Sequence, residues 1–154
     1  AAPARARKGF TLIELLVSLS VVAILAVLAV PAFRNMIAQS EIRAAATTLS
    51  VAMMRARSEA TKRSATIRVL KKGGGWATGW EVQDPGNAVL AEQGALSGVT
   101  FSSAPSSVVY LSTGRVQGSP SDYRFTLKST KIASIERCVS VDTSGSPSIK
   151  TTAC

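Results

Sequence analysis

Histidine is absent from the 154 residues of this chain. Its absence removes His-based catalytic triads and His-built metal clusters. Acidic residues number nine against eighteen lysines and arginines. They are scattered, so no carboxylate pair stands out for acid–base work. Aromatic residues make up 5% of the chain, and Trp76, Trp80, Tyr110 and Tyr123 read as core rather than as platforms on which bases stack. The only cysteines are Cys138 and Cys154. Without histidine and without CxxC spacing they argue against a metal pair or a redox pair. Gly73-Gly74-Gly75 lacks the Lys-Ser/Thr ending of a phosphate loop and reads as a hairpin turn. No internal repeat is visible. Nothing in the sequence supports catalysis, a metal or a cofactor.

What the chain does have is an apolar run over residues 10–33, interrupted by Thr11, Glu14, Ser18 and Ser20, with Pro31 near its end. As a helix it spans roughly 36 Å at ~1.5 Å per residue, enough for a bilayer core of ~30 Å. Arg5, Arg7 and Lys8 precede it. The positive-inside rule therefore puts the N-terminus in the cytoplasm and everything after Phe33 outside. A secretory signal peptide has a shorter apolar stretch and a small-residue cleavage site. A plain single-pass anchor leaves unexplained why a carboxylate, Glu14, sits inside the run. An ionised group there costs on the order of 3 kcal/mol on insertion scales, so a partner for it is expected.

The segment Gly9-Phe10-Thr11-Leu12-Ile13-Glu14, with its basic lead, closely resembles the class III leader and processing site of type IV pilins and type II secretion pseudopilins. The resemblance implies a leader over residues 1–9, cut by a prepilin peptidase between Gly9 and Phe10, and N-methylation of Phe10. It implies that Glu14, fifth in the mature chain, pairs with the N-terminal amine of a neighbouring subunit during assembly. An ammonium and a carboxylate in low dielectric gain much from each other, and each is costly alone. Pro31 falls where many pilins carry a proline; inside a helix it removes one backbone bond and can kink or locally melt the spine. Loss of the leader lowers the formal charge from +9 to about +6. The mature chain is thus still basic, which suits an anionic partner or simply solubility.

Beyond the anchor, Ile42, Ala45, Leu49, Ala52, Ala56 and Ala60 recur at helical spacing. One helix from residue 10 to about 63 is expected, its amphipathic second half at 34–63. Strands and turns are expected over 64–154, with strand candidates at 65–70, 80–83, 88–92, 99–101, 108–111, 123–127 and 132–141. Pro120 helps to punctuate the gap before the sixth of these. The fold class is α+β: a long N-terminal helix, transmembrane in its first half, packed on a C-terminal antiparallel β-sheet domain.

Ala56-Arg57-Ser58-Glu59-Ala60 followed by Lys62-Arg63 and a strand resembles the GspH/FimT family of minor pilins and minor pseudopilins, as does the later order of Phe101, Gly114-Arg115-Val116 and Phe125-Thr126-Leu127. That family pattern implies two antiparallel sheets packed on the second half of the helix. Arg55 and Glu59, four apart, are placed to pair, and the group is expected to tie the helix to the first strand or to a neighbour. Cys138 and Cys154 fall outside the cytoplasm in this topology, where disulfides persist. A bond between them closes a loop worth about 3 kcal/mol in the chain-entropy model, and many type IV pilins carry such a C-terminal disulfide.

Two functions are consistent with these features. One is a structural subunit that helps to initiate or cap a type IV pilus, or a type II secretion pseudopilus. Its partners are other pilins or pseudopilins and the prepilin peptidase, and it resides in the inner membrane before assembly, with its globular domain in the periplasm. The other is a competence pilin that binds DNA. The G-R-x-R motif of some such proteins aligns with Gly145-Ser146-Pro147-Ser148, where serine stands for each arginine. Lys128, Lys131, Arg137 and Lys150 remain as candidates for a basic patch near the tail, which would bind phosphates in a salt-dependent way.

Overall fold

The computed structural model describes residues 10–119 and 123–154. The expected leader, including Gly9, and Pro120 lie outside the described residues.

Helix α1 runs Leu12–Arg63 and is set at both ends by local chemistry. At its start Thr11 and Glu14 form a reciprocal capping box. The Glu14 amide donates to Thr11 Oγ1 at 3.3 Å, and Glu14 Oε2 accepts from the Thr11 amide at 3.0 Å and from its hydroxyl at 2.9 Å. At its end Ser64 adopts a positive φ of 49°. The Ala65 amide reaches back to the Ala60 carbonyl at 3.1 Å and the Ser64 amide to Thr61 at 3.3 Å. This is a Schellman arrangement that satisfies the last carbonyls. Helical structure continues through Pro31, so the backbone is not melted there, although proline leaves the carbonyl of Val27 without its usual donor.

The chain divides into two units between Met36 and Ile37. In the first, the apolar side chains from Phe10 to Phe33 are exposed. Its serines satisfy themselves on the helix backbone, Ser18 on the Glu14 carbonyl and Ser20 on Leu16 at 2.6 Å. By length and composition this stretch is apolar enough to cross a membrane.

The second unit, Ile37–Cys154, places two four-stranded antiparallel sheets against one face of α1. Sheet 1 has the order β3-β2-β1-β5 and sheet 2 the order β4-β6-β7-β8. The strands are β1 Ile67–Lys72, β2 Gly75–Gln83, β3 Val89–Gln93, β4 Val99–Ser103, β5 Ser107–Tyr110, β6 Arg124–Ser129, β7 Glu136–Val141 and β8 Pro147–Lys150. Ile42, Ala45, Ala46, Leu49, Met53, Ala56 and Ala60 form the buried stripe of the helix. They meet Ile67, Val69, Trp80, Val82 and Val108 from sheet 1, and Val99, Phe125, Leu127, Val139 and Val141 from sheet 2. The frequent alanines on this stripe let both sheets approach the helix closely.

The sequence expectations meet this structure with three differences. Strand β2 begins at Gly75 rather than at Trp80, because Trp76 and Trp80 both face the core and their rings lie 6.2 Å apart. The stretch expected as one strand over 132–141 is a turn up to Ile135, whose amide bonds Ile132 at 3.0 Å, and a strand only from Glu136. β8 was not foreseen. It carries Pro147 and serine, which are poor strand signals, and it exists because β7 offers it a partner.

Candidate functional site

Two places in the structure carry the residues singled out by sequence. The first is the start of α1. Phe10 is 81% exposed and directly precedes the capping box. Within its own chain Glu14 is hydrogen-bonded to Thr11, through the amide and hydroxyl of that residue. Thr11 was missed as a functional residue. The T-x-x-E spacing ahead of an apolar run was the signal that would have found it. This arrangement keeps the carboxylate hydrogen-bonded within one peptide unit of the Phe10 nitrogen, which is the mature N-terminus that the resemblance implies.

The second place is sheet 2, its hairpin and the tail. Cys138 and Cys154 form a disulfide with an S–S distance of 2.08 Å. The four cations proposed as a basic patch are not gathered on one face. Lys128 lies opposite Glu136 in the β6–β7 register and pairs with it at 2.6 Å. Lys131, in the turn that follows β6, pairs with Glu41 of α1 at 2.6 Å. Arg137 lies opposite buried Leu127 and alternates with Val139 and Val141, so it belongs to the core side of the sheet. Its Nε is buried and has no hydrogen-bond partner among the described residues. Lys150, opposite Cys138, lies on the outer side with Lys128. Arg124 shares that outer side, opposite Ser140, and is exposed; the sequence reading passed over it. Surface pairs of this kind add little stability, about 0–1 kcal/mol, but they do occupy the charges of Lys128 and Lys131.

The expected Arg55–Glu59 pair is also corrected. Glu59 pairs forward with Arg63 at 2.6 Å, which holds the carboxyl below its usual range. Arg55 instead donates to the Leu90 carbonyl at 2.9 Å, which ties the helix to β3 at the edge of sheet 1. The tertiary carbonyl outcompetes the neighbour on the helix because β3 has no strand on that side.

At the end of the domain where α1 stops, Tyr110 is fully buried and donates its hydroxyl to the Gly145 carbonyl at 3.2 Å. Gly145 has φ +82°, and a Cβ there would stand 2.2 Å from the Gly114 carbonyl oxygen. The glycine of the aligned Gly145–Ser148 segment is therefore required by packing alone. Burial pushes the Tyr110 phenol above its ordinary value. A group with a raised folded pKa contributes stability that is whole below its unfolded pKa, near 10, and is lost as pH rises through the folded value. Denaturation midpoints are accordingly expected to fall above about pH 10 in the native chain, and less steeply in Tyr110→Phe. Urea titrations at a series of alkaline pH values check this.

A helix that is apolar and exposed in one half and the core of a two-sheet domain in the other defines a membrane-anchored pilin-like subunit. The sequence matches the prokaryotic N-terminal methylation motif over residues 4–30, and the family described as Type II transport protein GspH over residues 45–145. The chain belongs to this GspH family of pilin-like proteins. Two crystal forms of the type IV minor pilin FimU of Pseudomonas aeruginosa strain PAO1 share the fold. One superposes with a TM-score of 0.61 at 20% identity, covering 72% of this chain and 89% of the crystallised one. The other gives 0.55 at 19% identity, covering 70% and 91%. Proteins of this kind are structural and not enzymes. Membership implies processing by a prepilin peptidase and contact with other pilins.

Proposed function

We propose that this chain is a minor pilin that helps to initiate or cap a type IV pilus, with its globular domain in the periplasm before assembly. The observation that carries the reading is the exposed apolar half of α1, headed by a capped carboxylate and joined to a folded domain. Such a helix needs a bilayer or a bundle of like helices around it. In this reading the peptidase cuts between Gly9 and Phe10 and methylates Phe10. Glu14 then passes from Thr11 to the amine of a neighbouring subunit, and Pro31 is the point at which the helix yields. The identity of the FimU structures supports the pilus over the type II secretion pseudopilus, which is the alternative within the same family. Deletion of the gene is expected to cut surface filaments at least ~10-fold, with restoration by the native chain. Normal filament numbers together with lost protein secretion would assign the chain to the secretion system instead.

A second reading, DNA binding, draws on the outer side of sheet 2, where Arg124, Lys128 and Lys150 stand among Ser140 and Ser148. Binding of duplex DNA that weakens steeply with salt and is lost on reversing Arg124 and Lys150 supports it. Binding that is indifferent to those changes removes it.

A further inference from the structure

β8 is the least embedded strand of sheet 2. Ser148, Ile149 and Lys150 are exposed, Ile149 to 41%, so the strand contributes little apolar burial to its own retention. What holds it lies at its two ends. After Lys150 the chain turns back across the outer side of the sheet, past β7 to β6, where the Cys154 amide meets Thr126 Oγ1 at 3.4 Å and the disulfide to Cys138 closes. Cys138 and Thr126 are only 3% and 7% exposed although both face outward, because the returning tail covers them. At the other end the β7–β8 hairpin is pinned. Tyr110 bonds the Gly145 carbonyl, and Asp142 Oδ1 accepts from the Ser146 amide at 2.9 Å. Gly145 is also wedged against Gly114.

We propose that residues 146–154 form a disulfide-held latch over the edge of β7. With the bond closed, β8 and the tail lie on the sheet and β7 is an interior strand. When a dithiol reductant delivers two electrons and two protons, the S–S bond between Cys138 and Cys154 breaks and both sulfurs become thiols. The reductant closes its own disulfide in the same exchange. The arm then frays from Cys154 back to the pin at Gly145. β7 stays in place, since Val139 and Val141 are buried in the core and the strand pairs with β6 from Arg124 to Lys128. Its other side becomes a free edge, which is a template for strand addition by another chain. The latch thus decides whether this subunit presents an open sheet edge, and the inference holds for either filament system.

Amide hydrogen exchange on the full chain in detergent, oxidised and after dithiothreitol, tests the latch. Thiol labelling is used to confirm that both cysteines are free after reduction. Protection is expected to fall about 100-fold in β8 and in the β7 amides that bond it, the factor that loop closure of this length predicts. Protection in α1, β1, β2 and β6 is expected to stay. Reoxidation restores the first state, and Cys154→Ser reproduces the reduced one. Three results overturn the proposal: β8 protection unchanged on reduction, protection lost throughout the unit, or a bond that yields to the reductant only when the domain unfolds.

Discussion

Glu14→Ala is expected to insert into the membrane as the native chain does, yet to be depleted at least ~100-fold from sheared filaments. Insertion should not suffer, because removing a carboxylate from an apolar helix lowers the cost of burying it. On the proposed pairing, incorporation should suffer, because the amine of the neighbouring subunit would lose its counter-ion in low dielectric. Breaking one side of such a buried pair costs about 3–5 kcal/mol. Thr11→Val separates the two roles of the carboxylate. It removes the hydroxyl that bonds Glu14 Oε2 and caps the Glu14 amide but leaves the charge. The expected result is a loss of order 0.5–2 kcal/mol in helix-start stability and filament levels much nearer native than those of Glu14→Ala. Immunoblots of membrane and sheared fractions measure both. Native filament levels of Glu14→Ala would mean that the carboxylate serves only the cap.

Trp80→Ala should be the most damaging single change in the folded domain, costing about 3–5 kcal/mol. Trp80 is 1% exposed and stands where β2 meets α1. It forms one wall of a groove with Thr48, Val51, Ala52 and Arg55 of the helix and Val82 beside it. Its ring also leans on Trp76, which packs edge-on against Phe125 of sheet 2 with centroids 4.9 Å apart. Truncation therefore opens a cavity at the seam joining the helix to sheet 1 and weakens the aromatic chain that reaches sheet 2. A domain with a typical stability of ~5–15 kcal/mol loses between about a fifth and all of it. Chemical denaturation in detergent, followed through the remaining Trp76, measures the change. A loss under about 1 kcal/mol would show that the groove collapses onto the space left behind.

The sequence by itself determined what depends on neighbours along the chain. The apolar run sets the exposed half of α1. The spacing of Ile42, Ala45, Leu49, Ala56 and Ala60 sets the face that the sheets cover, because a helix repeats every ~3.6 residues whatever it packs on. Most strands were legible for the same reason, as was the bond between Cys138 and Cys154. The capping box was legible too, in Thr11 and Glu14, although it was not read.

Only the tertiary structure decided the partners of the charged residues and the weak strand. Arg55 is drawn to the Leu90 carbonyl, Lys131 reaches Glu41 ninety positions earlier in the chain, and Arg137 turns to the core side of its sheet. None of these follows from local spacing, because long side chains choose among groups that only folding brings near. β8 is the clearest case. Its residues have little intrinsic preference for a strand, and β7 on one side and the disulfide beyond its end impose the conformation.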